Sequence, residues 1–138
     1  NMVITSTGAA TAAAKALPQL AGKLTGSAIR VPTPNVSLAI LNLQLNQETG
    51  GKAALNETFR QLAADSALEA QIGYSDSPEV VSSDLVGAHR TGIIDSRATV
   101  ATGKTAVLYV WYDNEYGYSC QVIRLMQAMV GVSPRMFP

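Results

Sequence analysis

The stretch TAVLYVWYDNEYGYS, residues 105–119, changes character halfway along, and the change organises the rest of the chain. Its first half is β-branched, aromatic and apolar, which predicts a strand through about Asp113. A helix follows from Asn114 or soon after and runs through YSCQVIRLMQAMVG, with Val122, Leu125, Met126 and Met129 at helical spacing and Gly131 and Pro134 to end it. Polar residues at such a strand end often face a site. Taken singly, Asn114 also reads as a helix cap and Tyr118 as a core aromatic with a satisfied hydroxyl.

Working back toward the N-terminus, Thr102-Gly103-Lys104 reads as a hairpin tip joining ATVA, residues 98–101, to the long strand, so these two must pair antiparallel. IGYS (72–75), EVVSSDLVG (79–87) and GIIDS (92–96) are further strand-like runs. Gly50-Gly51 precedes residues 52–68, which place Leu55, Phe59, Leu62 and Ala63 on one helical face. Residues 27–46 read as strand, a Pro32-Thr33-Pro34-Asn35 turn, then strand again. Residues 8–17, GAATAAAKAL, are strong helix formers closed by Pro18 and Gly22. Helices and strands come in blocks without βαβ alternation. The expected fold class is therefore α+β, a mostly antiparallel sheet with helices packed on one face. No internal repeat interrupts that pattern.

At 138 residues one domain is the working expectation, large enough to hide roughly two thirds of its unfolded surface. Ten basic residues balance ten acidic ones, so no broad field exists to gather nucleic acid or an anionic membrane, and any anion must be bound locally. Charged residues make up 14% of the chain against a usual quarter or so, which points to surfaces buried against other subunits or another domain. No apolar run approaches the roughly 20 residues of a membrane span. The single cysteine, Cys120, suits a reducing compartment, and a soluble, cytoplasmic protein is expected. A start at Asn1 within a strand end is unlike a natural N-terminus, so the chain is expected to be a fragment of a longer enzyme.

Near the N-terminus, TSTGAAT (5–11) joins hydroxyl residues to glycine at a helix start. Thr7 and Gly8 can cap that helix, and the same open N–H groups can hold an anion. Arg30 lies between Ile29 and Val31 in an otherwise apolar strand, where a buried guanidinium needs a partner, either a structural carboxylate or an anionic ligand.

Three stretches together, STGAA (6–10), KLTGSAIRVPTPNVS (23–37) and WYDNEYGYS (111–119), stand in an order and spacing that resembles the C-terminal, catalytic domain of glyceraldehyde-3-phosphate dehydrogenase. VVSSDLVG (80–87) and the Ile94-Asp95 pair fit the same family, and the resemblance covers almost the whole chain. It implies that Thr7 and Gly8 help hold the inorganic phosphate that attacks the acyl intermediate. It also implies that Arg30 binds phosphate groups of the substrate, Asn114 hydrogen-bonds the nicotinamide carboxamide, and Tyr118 packs beside that ring. Helix-terminal N–H groups with a guanidinium fork suit phosphate oxygens without overall positive charge.

The family's cysteine nucleophile, its histidine base and its glycine-rich Rossmann domain have no counterpart in these residues, so no catalytic residue is expected here and no metal site either. Cys120 follows the NEYGYS motif, where the nucleophile does not occur, and reads as a buried or interface thiol. His89, in GAHRTG, reads as a loop or interface residue. That segment, Cys120 and the tail GVSPRMFP depart from the common family form and point to a divergent branch. The implied parent enzyme oxidises glyceraldehyde 3-phosphate with NAD, NADP being the alternative cofactor, and inorganic phosphate. The implied partners are the substrate, phosphate, the chain's own N-terminal domain and the other subunits of a homotetramer, with no nucleic acid or membrane. The competing readings are a sister enzyme acting on another phosphorylated aldehyde, such as erythrose 4-phosphate, and a non-catalytic oligomerisation module.

Overall fold

A computed structural model describes residues 1–132, which form two compact units divided between Pro34 and Asn35. In the first, β1 (Val3–Ser6) pairs antiparallel with β2 (Ser27–Arg30), Val3 opposite Arg30 and Ser6 opposite Ser27. The alanine-rich α1 (Ala9–Ala16) follows β1. Its last turn closes with the Leu17 N–H donating to the Ala13 carbonyl at 2.8 Å, and Pro18, which cannot donate, opens a 3₁₀ turn over Pro18–Leu20.

Among the described residues the second unit holds a five-stranded sheet and two α-helices. Its elements are β3 (Ser37–Gln44), α2 (Gly51–Ala64), β4 (Ile72–Ser75), β5 (Gly92–Asp95), β6 (Val100–Thr102), β7 (Thr105–Tyr112) and α3 (Tyr116–Met129). The strand order is β3-β7-β5-β4, with β6 also paired to β7. The stretch that organises the sequence thus supplies the central strand. β7 matches β3 along its whole length, Ser37 opposite Tyr112 to Gln44 opposite Thr105. It also pairs with β6 through the hairpin at Gly103 and with β5 at Ile93 and Ile94. The buried apolar side chains are Val36, Ile93, Ile94, Ala106 and Leu108. α2 lies against β4 and β6, with Leu55, Phe59, Leu62 and Ala63 half-buried as its periodicity requires.

The α+β class, with a mostly antiparallel sheet, stands as expected. One local expectation does not. EVVSSDLVG holds a 3₁₀ turn at Ser82–Leu85 in place of a strand, because the Asp84 carboxylate accepts from the Val81 N–H at 3.0 Å and draws the chain into a local turn. β4 and β5 pair parallel. The 76–91 connection is long enough for the crossover that parallel pairing demands. The apolar stripe on α3 is present but uncovered among the described residues, Met129 being 78% exposed. Gly131, at φ 70°, ends that helix, while Pro134 and most of the tail lie outside the described residues. No helix among the described residues is long and apolar enough to cross a membrane.

Candidate functional site

In the first unit the cap of α1 is Gly8, and the Thr7 hydroxyl accepts from the Ala9 N–H at 3.2 Å. A side chain at Gly8 would meet nothing within 4 Å, so the helix start is open to an approaching group. Arg30 is exposed rather than buried in an apolar strand. The sole ion pair among the described residues joins Arg60 and Glu57, so no carboxylate there claims the Arg30 guanidinium. The ladder register sets the Arg30 backbone opposite Val3, four positions from Thr7, or about 13 Å at the usual strand rise. Period-two alternation nevertheless puts Arg30, Thr5 and Thr7 on one face, with only Ala28 and Gly26 on the partner strand beside them. Thr7 packs over Gly26, where an added Cβ would stand 3.3 Å from its methyl group. Thr5 stands between Arg30 and Thr7 on that face.

Thr5 escaped the sequence reading. Its hydroxyl oxygen is buried with no hydrogen-bond partner among the described residues, on the face that carries Thr7. The signal was its position two residues before Thr7, since alternate strand residues share a face.

In the second unit the end of β7 meets the start of β3. Asp113, only 3% exposed, is the hub of this junction. One oxygen, Oδ1, accepts from the N–H groups of Glu115 and Tyr116, at 3.0 and 2.8 Å. The other, Oδ2, accepts from the Gly87 N–H and the Asn35 side-chain amide, each at 2.9 Å. These bonds, led by those from Gly87 and Tyr116, hold the carboxyl down at about 2 against burial, which acts the other way. Asp113 therefore caps α3, the role the sequence offered to Asn114.

Released from capping, Asn114 is exposed at the surface, and its Oδ1 accepts from the Ser37 hydroxyl at 2.7 Å. Its amide N–H₂ then remains to donate outward. Asn35 and Ser37 thus reach the two consecutive residues Asp113 and Asn114. Between them Val36 is buried, 5% exposed, at φ 70°. A β-branched residue in the left-handed region costs roughly 1–3 kcal/mol, and such strain clusters where the surrounding structure fixes a site. Tyr118, one turn into α3, is 70% exposed, so its ring is open to a partner and is not the core aromatic of the simpler reading.

The remaining candidates take structural places. Cys120 is half-buried on α3. His89 is exposed, and its carbonyl accepts from the Gln121 side chain at 3.0 Å.

Comparison with known proteins follows the same residues. The family model for the C-terminal domain of glyceraldehyde 3-phosphate dehydrogenase matches residues 1–114. A glyceraldehyde-3-phosphate dehydrogenase-like protein of Pseudomonas aeruginosa is 61% identical over 138 residues, covering 100% of this chain and 30% of that protein. Glyceraldehyde-3-phosphate dehydrogenase 1 of Bacillus subtilis is 46% identical over 129 residues, 91% of this chain and 37% of the relative. Glyceraldehyde-3-phosphate dehydrogenase of Schistosoma mansoni is 44% identical over 133 residues, 94% of this chain and 38% of the relative. The chain spans about a third of the length of these curated relatives.

Proposed function

Because this chain belongs to the family of C-terminal domains of glyceraldehyde-3-phosphate dehydrogenase, we propose that it supplies the binding walls of an NAD-dependent, phosphorylating enzyme of that activity. The enzyme would convert glyceraldehyde 3-phosphate and inorganic phosphate into the acyl phosphate. The observation that carries the reading is the junction in the second unit, where Asn35 and Ser37 of one motif hold Asp113 and Asn114 of the other.

The division of labour follows from chemistry. Asn114, its oxygen engaged by Ser37, offers N–H donors that fit a carboxamide oxygen, and the exposed Tyr118 ring offers a flat apolar face. These two residues would hold the nicotinamide end of NAD, which when bound supplies the hydride acceptor. In the first unit, Thr7 and the open helix start at Gly8 would receive inorganic phosphate. Arg30, on the same face as Thr7, would add a fork of charge-assisted donors. The nucleophile and base belong to the rest of the proposed enzyme, as does the other domain that completes the cofactor site. A homotetramer in the cytoplasm is the expected setting, with uncovered apolar surface such as the α3 stripe placed against neighbouring subunits.

The test is Arg30→Ala in the full-length protein. A charge-assisted bond to an anion contributes roughly 1.5–3 kcal/mol, so the KM for glyceraldehyde 3-phosphate or for phosphate should rise at least tenfold. An unchanged KM for both rejects the role of Arg30. Acid production at full rate without phosphate rejects the phosphorylating reaction.

A further inference from the structure

At the edge of the sheet in the second unit, an open cleft of about 550 Å³ lies between α2 and β4, within the usual volume range for small-molecule sites. Ala63, Ala64, Ile72, Leu85 and Ile93 line it with apolar surface, and two guanidinium groups, Arg60 and Arg90, lie on its walls with Tyr74 and Ser75. None of these residues has a part in the binding walls assigned above.

Arg90 is held in place from two sides. Its stem runs over Gly73, where an added Cβ would meet Arg90 Cγ at 3.4 Å and Ile93 Cγ1 at 2.8 Å. Its backbone is pressed against α3, since a Cβ at Gly117 would stand 2.9 Å from the Arg90 carbonyl oxygen. Gln121 donates to the neighbouring His89 carbonyl at 3.0 Å and fixes the same segment. For all this support, the guanidinium of the half-buried Arg90 makes one long hydrogen bond among the described residues, 3.5 Å from Nη1 to the Ile72 carbonyl. Its other N–H donors have no protein partner among the described residues, and such a planar fork suits an oxyanion.

Arg60, opposite, uses Nε and Nη2 on the two oxygens of Glu57, at 2.8 and 2.7 Å, which leaves Nη1 to point elsewhere. Tyr74 lines the same cleft. With Arg60 already offset by Glu57, the cleft keeps one uncompensated positive charge, on Arg90, above an apolar floor.

We propose that this cleft binds a small organic anion, an oxyanion group carried on a compact apolar body. Arg90 takes the oxyanion as the principal ligand, and the Arg60 Nη1 and Tyr74 hydroxyl are at hand for further hydrogen bonds. The wall of Ala63, Ala64, Ile72 and Ile93 receives the body. The inference is independent of the proposed dehydrogenase site, which uses other residues in both units.

The probes are benzoate, its neutral counterpart benzamide, and inorganic phosphate, each titrated into the ¹⁵N-labelled chain and followed by amide and arginine Nε resonances. Benzoate should move Gly73, Tyr74, Ser75 and Arg90 saturably, and benzamide should bind at least tenfold more weakly. Phosphate should bind the cleft more weakly than benzoate, whatever it does at Thr7 and Gly8. Arg90→Met keeps the stem over Gly73 while removing the charge, and should weaken benzoate at least tenfold with the spectrum still dispersed. If that variant fails to fold, Arg90→Lys keeps the charge but loses the planar fork, and should weaken benzoate severalfold. Equal binding of benzamide, or undiminished binding by a folded Arg90 variant, overturns the anion site. Phosphate binding there as tightly as benzoate overturns the organic body.

Discussion

Val36 allows the strain at the junction of β3 and β7 to be weighed. The side chain is 5% exposed, so Val36→Ala removes two buried carbons, worth about 0.8 kcal/mol each, and should destabilise the second unit by about 1.6 kcal/mol. In an ordinary extended position, Val36→Gly would be worse than alanine by about 1.5 kcal/mol, from one more buried carbon and the added freedom of a glycine backbone. At φ 70°, however, glycine escapes the clash between Cβ and the following carbonyl, a relief of roughly 1–2 kcal/mol that alanine does not receive. The two terms offset, and the glycine variant should fall within about 0.5 kcal/mol of the alanine variant. Urea unfolding followed by fluorescence measures this directly, because Trp111 is the only tryptophan and donates to Asp95 at 3.1 Å within the same sheet. Both variants should show the same slope against urea, so that midpoints compare stabilities. A glycine variant less stable than the alanine variant by about 1.5 kcal/mol or more would refute the strain and, with it, the view that Asn35 and Ser37 pin the backbone between them.

The other predictions rest on neighbouring contacts. Asp113 titrates at about 2 folded against an ordinary 3.8, so the folded state binds fewer protons and the carboxylate adds stability above about pH 4 that drains away as pH falls toward 2. Asp113→Asn should be less stable at neutral pH and lose less between pH 4 and pH 2 than the unaltered chain, measured as urea midpoints. Equal losses in the two proteins would remove Asp113 from this role. Gly117→Ala substitutes a better helix former, worth about 1 kcal/mol in an open helix. Here its Cβ would stand 2.9 Å from the Arg90 carbonyl oxygen and 3.2 Å from that of Ala88, both backbone atoms that cannot swing aside. The midpoint of thermal unfolding should therefore fall, and a rise would show that α3 does not press on this segment.

The strands and helices were legible wherever one periodicity ran long enough. TAVLYVWY, rich in β-branched and aromatic residues, and the largely apolar SLAILNLQ are the two fully matched strands, and KAALNETFRQLAA turns its apolar face inward. EVVSSDLVG misled because paired valines carry strand propensity while Ser82, Ser83 and Asp84 offer the backbone a local turn, and one carboxylate bond decided between them. The parallel pairing of β4 with β5 had no local mark, since direction depends on how a connection crosses the sheet. At the junction of β7 and α3, the motif left the capping role open. Asp113 and Asn114 are both capable caps, and the choice between them depends on which one the β3–β7 register buries.

Val36 lay beyond reach for the opposite reason, since nothing in local propensity favours valine at positive φ. Its conformation is imposed from outside, by Asn35 bound to Asp113 on one side and Ser37 bound to Asn114 on the other. A backbone that breaks its local rule at the point where two distant motifs meet is held there by tertiary contacts. Those contacts also hold the exposed Asn114 side chain through its oxygen, so strain in one residue and the placing of another have the same tertiary cause.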